Sequence, residues 1–168
     1  MQAPLLPSER LRRVLRVARI DGLSVLVIAG GFGLISAACG DFSGAAFGFL
    51  IAAAGAIELK GVSLLRAARM EGMGWLFGSQ LYLMAVILAY VFFRLFNLAK
   101  DPLLKALNRA FAQTGMDMEM LPFDLTQMLK FVYLAVAVIT ILYQGGMIIY
   151  YLRRRSAVAA ALQSGGAP

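Results

Sequence analysis

An all-α integral membrane fold, a bundle of four transmembrane helices with N-terminal and outer-loop amphipathic helices, is the architecture this sequence predicts. Three observations carry the prediction. Hydrophobic residues make up 61 % of the 168 positions and charged residues 15 %, where a soluble domain has roughly half and a quarter. Four stretches, 22–40, 42–65, 72–96 and 126–152, reach the length of about 20 apolar residues that crosses roughly 30 Å of hydrocarbon. The remaining polar chain is too short to coat four such helices in water, so residues 1–168 read as one membrane domain.

The N-terminal element spans 8–20, SERLRRVLRVARI. Ser8 suits an N-cap and Glu9 the positive end of a helix. At helical spacing Leu11, Val14, Leu15 and Ala18 share one face, and Arg12, Arg13, Arg16 and Arg19 the other. This pattern predicts an inner interfacial helix, a positional anchor with its apolar side in lipid and its arginines at anionic headgroups.

The first two spans carry small residues every four positions. These are Ala29, Gly33 and Ala37 in the first, and Gly44, Gly48, Ala52 and then Gly55 in the second. Small side chains let helices approach where lipid supplies no hydrophobic drive. The short connection from Cys39 to Ser43 makes the two spans antiparallel neighbours, so a tight hairpin is expected. Gly74 and Gly78 predict a further close contact on the third span.

The third-to-fourth connection predicts an outer amphipathic helix over 101–115. Asp101 is a suitable N-cap, Pro102 suits the first helical position, and Gly115 can end the helix. Leu103, Leu104, Leu107 and Phe111 fall along one face. Met116, Met118 and Met120 follow. Thioethers suit copper(I), but no histidine or second cysteine assists them, so a lid on the outer surface is the favoured reading and no metal site is expected.

Basic residues orient the spans. Arg10, Arg12, Arg13, Arg16 and Arg19 precede the first, Arg66 and Arg69 follow the second, and Arg153, Arg154 and Arg155 follow the fourth. Both termini are therefore expected in the cytoplasm, the expected location being a bacterial inner membrane. The net charge of +7 then suits anionic lipid headgroups, with no separate basic domain to hold nucleic acid. Arg12-Arg13 and the run ending at Cys39 loosely imitate a lipoprotein export signal. Ser36 stands where that signal wants a bulky aliphatic residue, so Cys39 reads as a thiol near the outer end of the span.

Counting from the inner ends at about 1.5 Å per residue places Glu58, Gln80 and Gln144 at a common depth. Costly polar groups at such depth face a bundle interior. Thr140 and Tyr90 extend this polar layer along the third and fourth spans. Arg94 and Lys130 are expected at the outer end near Asp124. Residues 22–40 carry no charge, so Glu58 is expected to be the single acid deep in a span, without a second acid to form a dyad.

Catalysis finds no support. His is absent and Cys39 is the only cysteine, which excludes histidine bases, intramolecular disulfides and cysteine zinc clusters. No phosphate loop or dinucleotide fingerprint is present, and no cofactor is expected. Two functions stay open. The favoured one is a homo-oligomeric channel or carrier for an ion or small solute, working through the polar layer. The alternative is a non-catalytic scaffold or accessory subunit packing against another membrane protein.

Overall fold

The computed structural model describes residues 7–98, 101, 104–106, 109, 110, 113 and 124–164. Among them no strand occurs. Four helices are long and apolar enough to cross a membrane. They are α1 (Pro7–Ala38), α2 (Phe42–Arg66), α3 (Glu71–Phe96) and α4 (Leu125–Gln163). α1 packs on α2, α2 on α3, α3 on α4, and α4 returns to α1. Consecutive helices run antiparallel, so the start of α1 and the end of α4 lie at one end of the bundle.

The first turn is a Schellman closure. Gly40 takes φ +76°, the Asp41 amide donates to the Ser36 carbonyl at 2.9 Å, and the Gly40 amide to Ala37 at 3.1 Å. Asp41 then caps α2, its carboxylate accepting from the Gly44 amide at 2.9 Å. The second turn repeats the motif without a glycine. Ala68 holds φ +57°, while Arg69 and Ala68 donate to Leu64 and Leu65. An L-residue in this region costs roughly 1–2 kcal/mol.

The interface between α1 and α2 is a backbone contact. A Cβ added at Gly48 would stand 2.7 Å from the Cα of Gly33 and 3.1 Å from the Ala29 carbonyl. One at Gly55 would meet the Gly22 carbonyl and the Leu26 amide. Ala45, one turn before Gly48, and Ala52, between Gly48 and Gly55, are buried as well. Ala37 is exposed and Ser36 is buried in its place, because four residues carry α1 slightly more than one full rotation, so a strict four-residue repeat drifts off the contact face. Gly74 and Gly78 face open space. The close approach of α2 to α3 uses Gly61 and Gly72 instead, where a Cβ on Gly72 would lie 2.5 Å from the Gly61 carbonyl.

Residues 8–20 differ from the expected separate helix. They are the first turns of α1, a single helix of 32 residues, about 48 Å long. Pro7 opens it, which places Ser8 inside the first turn. The apolar face predicted to enter lipid is packed on protein. Leu11, Val14, Leu15 and Ala18 join Val62, Leu65, Leu76, Tyr151, Val158 and Ala161 in a buried cluster. The reason is the length of α4. It runs past residue 152 to Gln163, and its final turns supply the apolar partner. Arg12, Arg13, Arg16 and Arg19 remain exposed.

A second apolar cluster, Val91, Leu98, Leu129 and Tyr133, lies at the other end. Residues 104–106, 109, 110 and 113 are helical, and Leu104 packs against this cluster. Pro102, Leu103, Leu107, Phe111, Gly115 and the three methionines lie outside the described residues.

Candidate functional site

Glu58 follows Gly55 by three positions on α2, so both sit on the face turned to α1. Gly22 of α1 meets them there. A Cβ at Gly22 would stand 3.1 Å from the Gly55 carbonyl and 3.2 Å from the Glu58 Cβ. This approach brings Asp21, the neighbour of Gly22, level with Glu58.

Gln80 of α3 joins the two acids. Its Nε2 donates to Glu58 Oε1 at 3.0 Å and to Asp21 Oδ2 at 3.1 Å. An amide nitrogen has two hydrogens, and here each serves one carboxylate. α4 adds two phenols. Tyr151 donates to Glu58 Oε1 at 2.6 Å and Tyr143 donates to Asp21 Oδ1 at 2.9 Å. Five side chains from four helices thus form one continuous chain: Tyr151, Glu58, Gln80, Asp21, Tyr143. Glu58, Gln80 and Tyr151 are at most 1 % exposed, whereas Asp21 is half-buried and Tyr143 exposed.

Every donor in this chain is neutral. Among the described residues no Lys or Arg pairs with either acid. Lys60, the cation closest in sequence to Glu58, sits 4.0 Å over the Trp75 ring. Burying a carboxylate without a cation or proton is costly, and two sharing one amide require compensation all the more. Two carboxylates, an amide and two phenols offer oxygen ligands suited to a proton or a small monovalent cation. Among the described residues no group of three or more His, Cys, Asp or Glu is arranged to hold a metal ion.

A cavity of about 430 Å³ opens between the first turns of α3 and the later part of α4. Met70, Met73, Gly74, Phe77 and Arg155 line it, and so does Tyr151. Tyr151 thus borders the cavity while its hydroxyl bonds Glu58. Gly74 leaves this stretch of the lining without a side chain, and nothing lies within 4 Å of its Cβ position.

The predicted layer is only partly assembled. Glu58 and Gln80 meet. Gln144 and Thr140 are buried, but among the described residues no hydrogen bond links Gln144 to either, and its Oε1 has no partner there. The expected depth of Gln144 rests on Arg153 as the end of the fourth span, whereas α4 continues to Gln163. Tyr151, seven residues or about 10 Å nearer the termini, takes the position expected for Gln144.

Tyr90 belongs to a different cluster, at the end of the bundle remote from the termini. Its ring stacks edge-on to Phe47, with centroids 5.2 Å apart, and lies beneath the Arg94 guanidinium. Arg94 pairs with Asp41 at 2.7 Å and lies 4.0 Å from Asp101. Tyr133 donates to Asp101 at 2.6 Å. The expected grouping of Arg94 and Lys130 with Asp124 is not formed. Asp124 caps α4 by accepting from the Thr126 amide at 2.8 Å, and Lys130 is exposed. Burial pushes the Asp41 carboxyl up, but hydrogen bonds from the Gly44 amide, Ser43 and Arg94 outweigh it and hold it below its ordinary value.

Asp21 is the functional candidate that sequence reading missed, together with the roles of Tyr143 and Tyr151. An acid directly before a charge-free run is compatible with a membrane boundary, so its position alone does not mark it as interior. The available signal was Gly22, four residues after Ala18 and on the face that continues to Ala29 and Gly33. Comparison with protein-family models, with curated proteins and with solved structures gives no match.

Proposed function

We propose that this protein is a small membrane channel or carrier in which Asp21 and Glu58 bind the transported proton or small cation. The observation that supports this most is the Gln80 amide bonded to both acids, with no Lys or Arg among the described residues paired to either. A structural role alone would be met by uncharged residues of similar shape, at no desolvation cost. The cavity beside Tyr151 is the entry from the end bearing the termini, which the arginine distribution assigns to the cytoplasm. Four helices enclose little space, so the pathway is completed between copies of the chain. The exposed α4 face with Phe131, Leu134, Val138 and Leu142 is available for that contact.

The same exposed face favours a second reading, an accessory subunit packed against another membrane protein. Reconstitution separates them. Purified protein in liposomes should carry protons or a monovalent cation above the level of empty liposomes. Permeability equal to that of empty liposomes across the alkali cations and protons would remove the first reading.

A further inference from the structure

We propose that a groove between α1 and the end of α2 holds one anionic phospholipid, with its phosphate among Arg16, Arg19 and Arg66 and its ester region on Ile20 and Leu23. This site is separate from the Asp21–Glu58 cluster and does not depend on the reading given to that cluster. The groove has a volume of about 500 Å³. Its basic residues are Arg12, Arg16, Arg19 and Arg66, and no carboxylate lines it. Asp21, the acid nearest in sequence, is turned away into hydrogen bonds with Gln80 and Tyr143. Among the described residues none of the four arginines is ion-paired.

Arg12, Arg16, Arg19 and Leu23 are spaced at i, i+4, i+7 and i+11, which sets them on one line along α1. Arg66 approaches from the last turn of α2. Guanidinium groups bind phosphate through paired N–H donors. Convergence from two helices distinguishes this groove from an arginine-rich helix face that merely contacts headgroups.

The order of chemistry along the groove selects a lipid over a soluble phosphate compound. Charge occupies the end toward the termini. Toward the span the wall becomes apolar, with Ile20 60 % and Leu23 49 % exposed and Val27 beyond them 63 % exposed. A phosphodiester joined to acyl chains has the same succession, charge and then hydrocarbon. A soluble phosphate would leave Ile20 and Leu23 without an occupant.

The test is mass spectrometry of the intact protein released from mixed micelles of phosphatidylglycerol and phosphatidylcholine. One phosphatidylglycerol should be retained in preference to phosphatidylcholine. The Arg16→Gln, Arg66→Gln double variant should lose this retention about tenfold or more, since charge-assisted hydrogen bonds are removed. Arg153→Gln, an exposed arginine at the same end outside the groove, should hold the lipid within about twofold. All three arginines are exposed, so folding is preserved. Equal loss in Arg153→Gln would overturn the proposal in favour of diffuse surface charge. Equal retention of phosphatidylcholine would overturn it too. So would displacement of the lipid from the unaltered protein by glycerol 3-phosphate at matched concentration, which would identify a site for soluble phosphates.

Discussion

Tyr151 of α4 donates its phenol hydrogen to Oε1 of Glu58 on α2 at 2.6 Å, and both side chains are buried. That bond ties the last helix to the second across the bundle interior. Tyr151→Phe should therefore destabilise the protein by about 1–3 kcal/mol, because a buried acceptor loses a partner. A double-mutant cycle with Glu58→Met, read by thermal unfolding in detergent, should give a coupling energy of similar size. Additive effects would show that the two residues act independently.

Helix approach yields a sharper contrast. Gly48→Leu places a side chain where even a Cβ would lie 2.7 Å from Gly33. It should cost about 3 kcal/mol by overpacking, seen as a lowered Tm. Ala53→Leu, on the exposed side of the same helix, should stay within about 0.5 kcal/mol. Equal Tm values for the two variants would place the α1–α2 interface elsewhere.

This interface was legible in the sequence because small residues at four-residue spacing mark a helix face locally. The ends of the helices were not. Asp21, the one residue between Ile20 and Gly22, is compatible both with an amphipathic segment that stops there and with one that runs on into a span. The outcome depended on α4 reaching Gln163 to cover Leu11 and Leu15. That one long-range fact also shifted Gln144 out of the polar layer and brought Tyr151 into it. Glu58 and Gln80 were recoverable because both helices start and stop close to the membrane boundaries inferred from charge. The partner of Arg94 was not recoverable, since choosing Asp41 over Asp124 depends on which loop folds over the end of α3.

The Arg94–Asp41 pair predicts an acid-sensitive link. A carboxyl held below its ordinary value stabilises the fold above its unfolded-state pKa, and this contribution is lost as pH falls through the lower folded-state value. Tm should thus fall on acidification below about pH 4. Asp41→Asn should be less stable than the unaltered protein at neutral pH by on the order of 3 kcal/mol, because Arg94 is left under-compensated. Its Tm should also change less on acidification. An identical acid profile in the two proteins would dissociate Asp41 from the effect.

Ala68 offers a gain. At φ +57° it closes the α2–α3 turn in a conformation that glycine adopts freely. Ala68→Gly should raise stability by about 1 kcal/mol, measured by thermal unfolding. A decrease would mean that glycine's added unfolded-state entropy exceeds the relief of strain.

The most direct test of the central claim is proton and cation flux through liposomes bearing Glu58→Gln, with the unaltered protein beside it. The amide keeps the shape of the carboxylate and can still accept from Tyr151 and Gln80, so the variant should fold and reconstitute normally. If Asp21 and Glu58 bind the transported ion, its flux should drop at least about tenfold, the scale of one lost charge-assisted contact. Flux unchanged by Glu58→Gln in correctly folded protein would contradict the account.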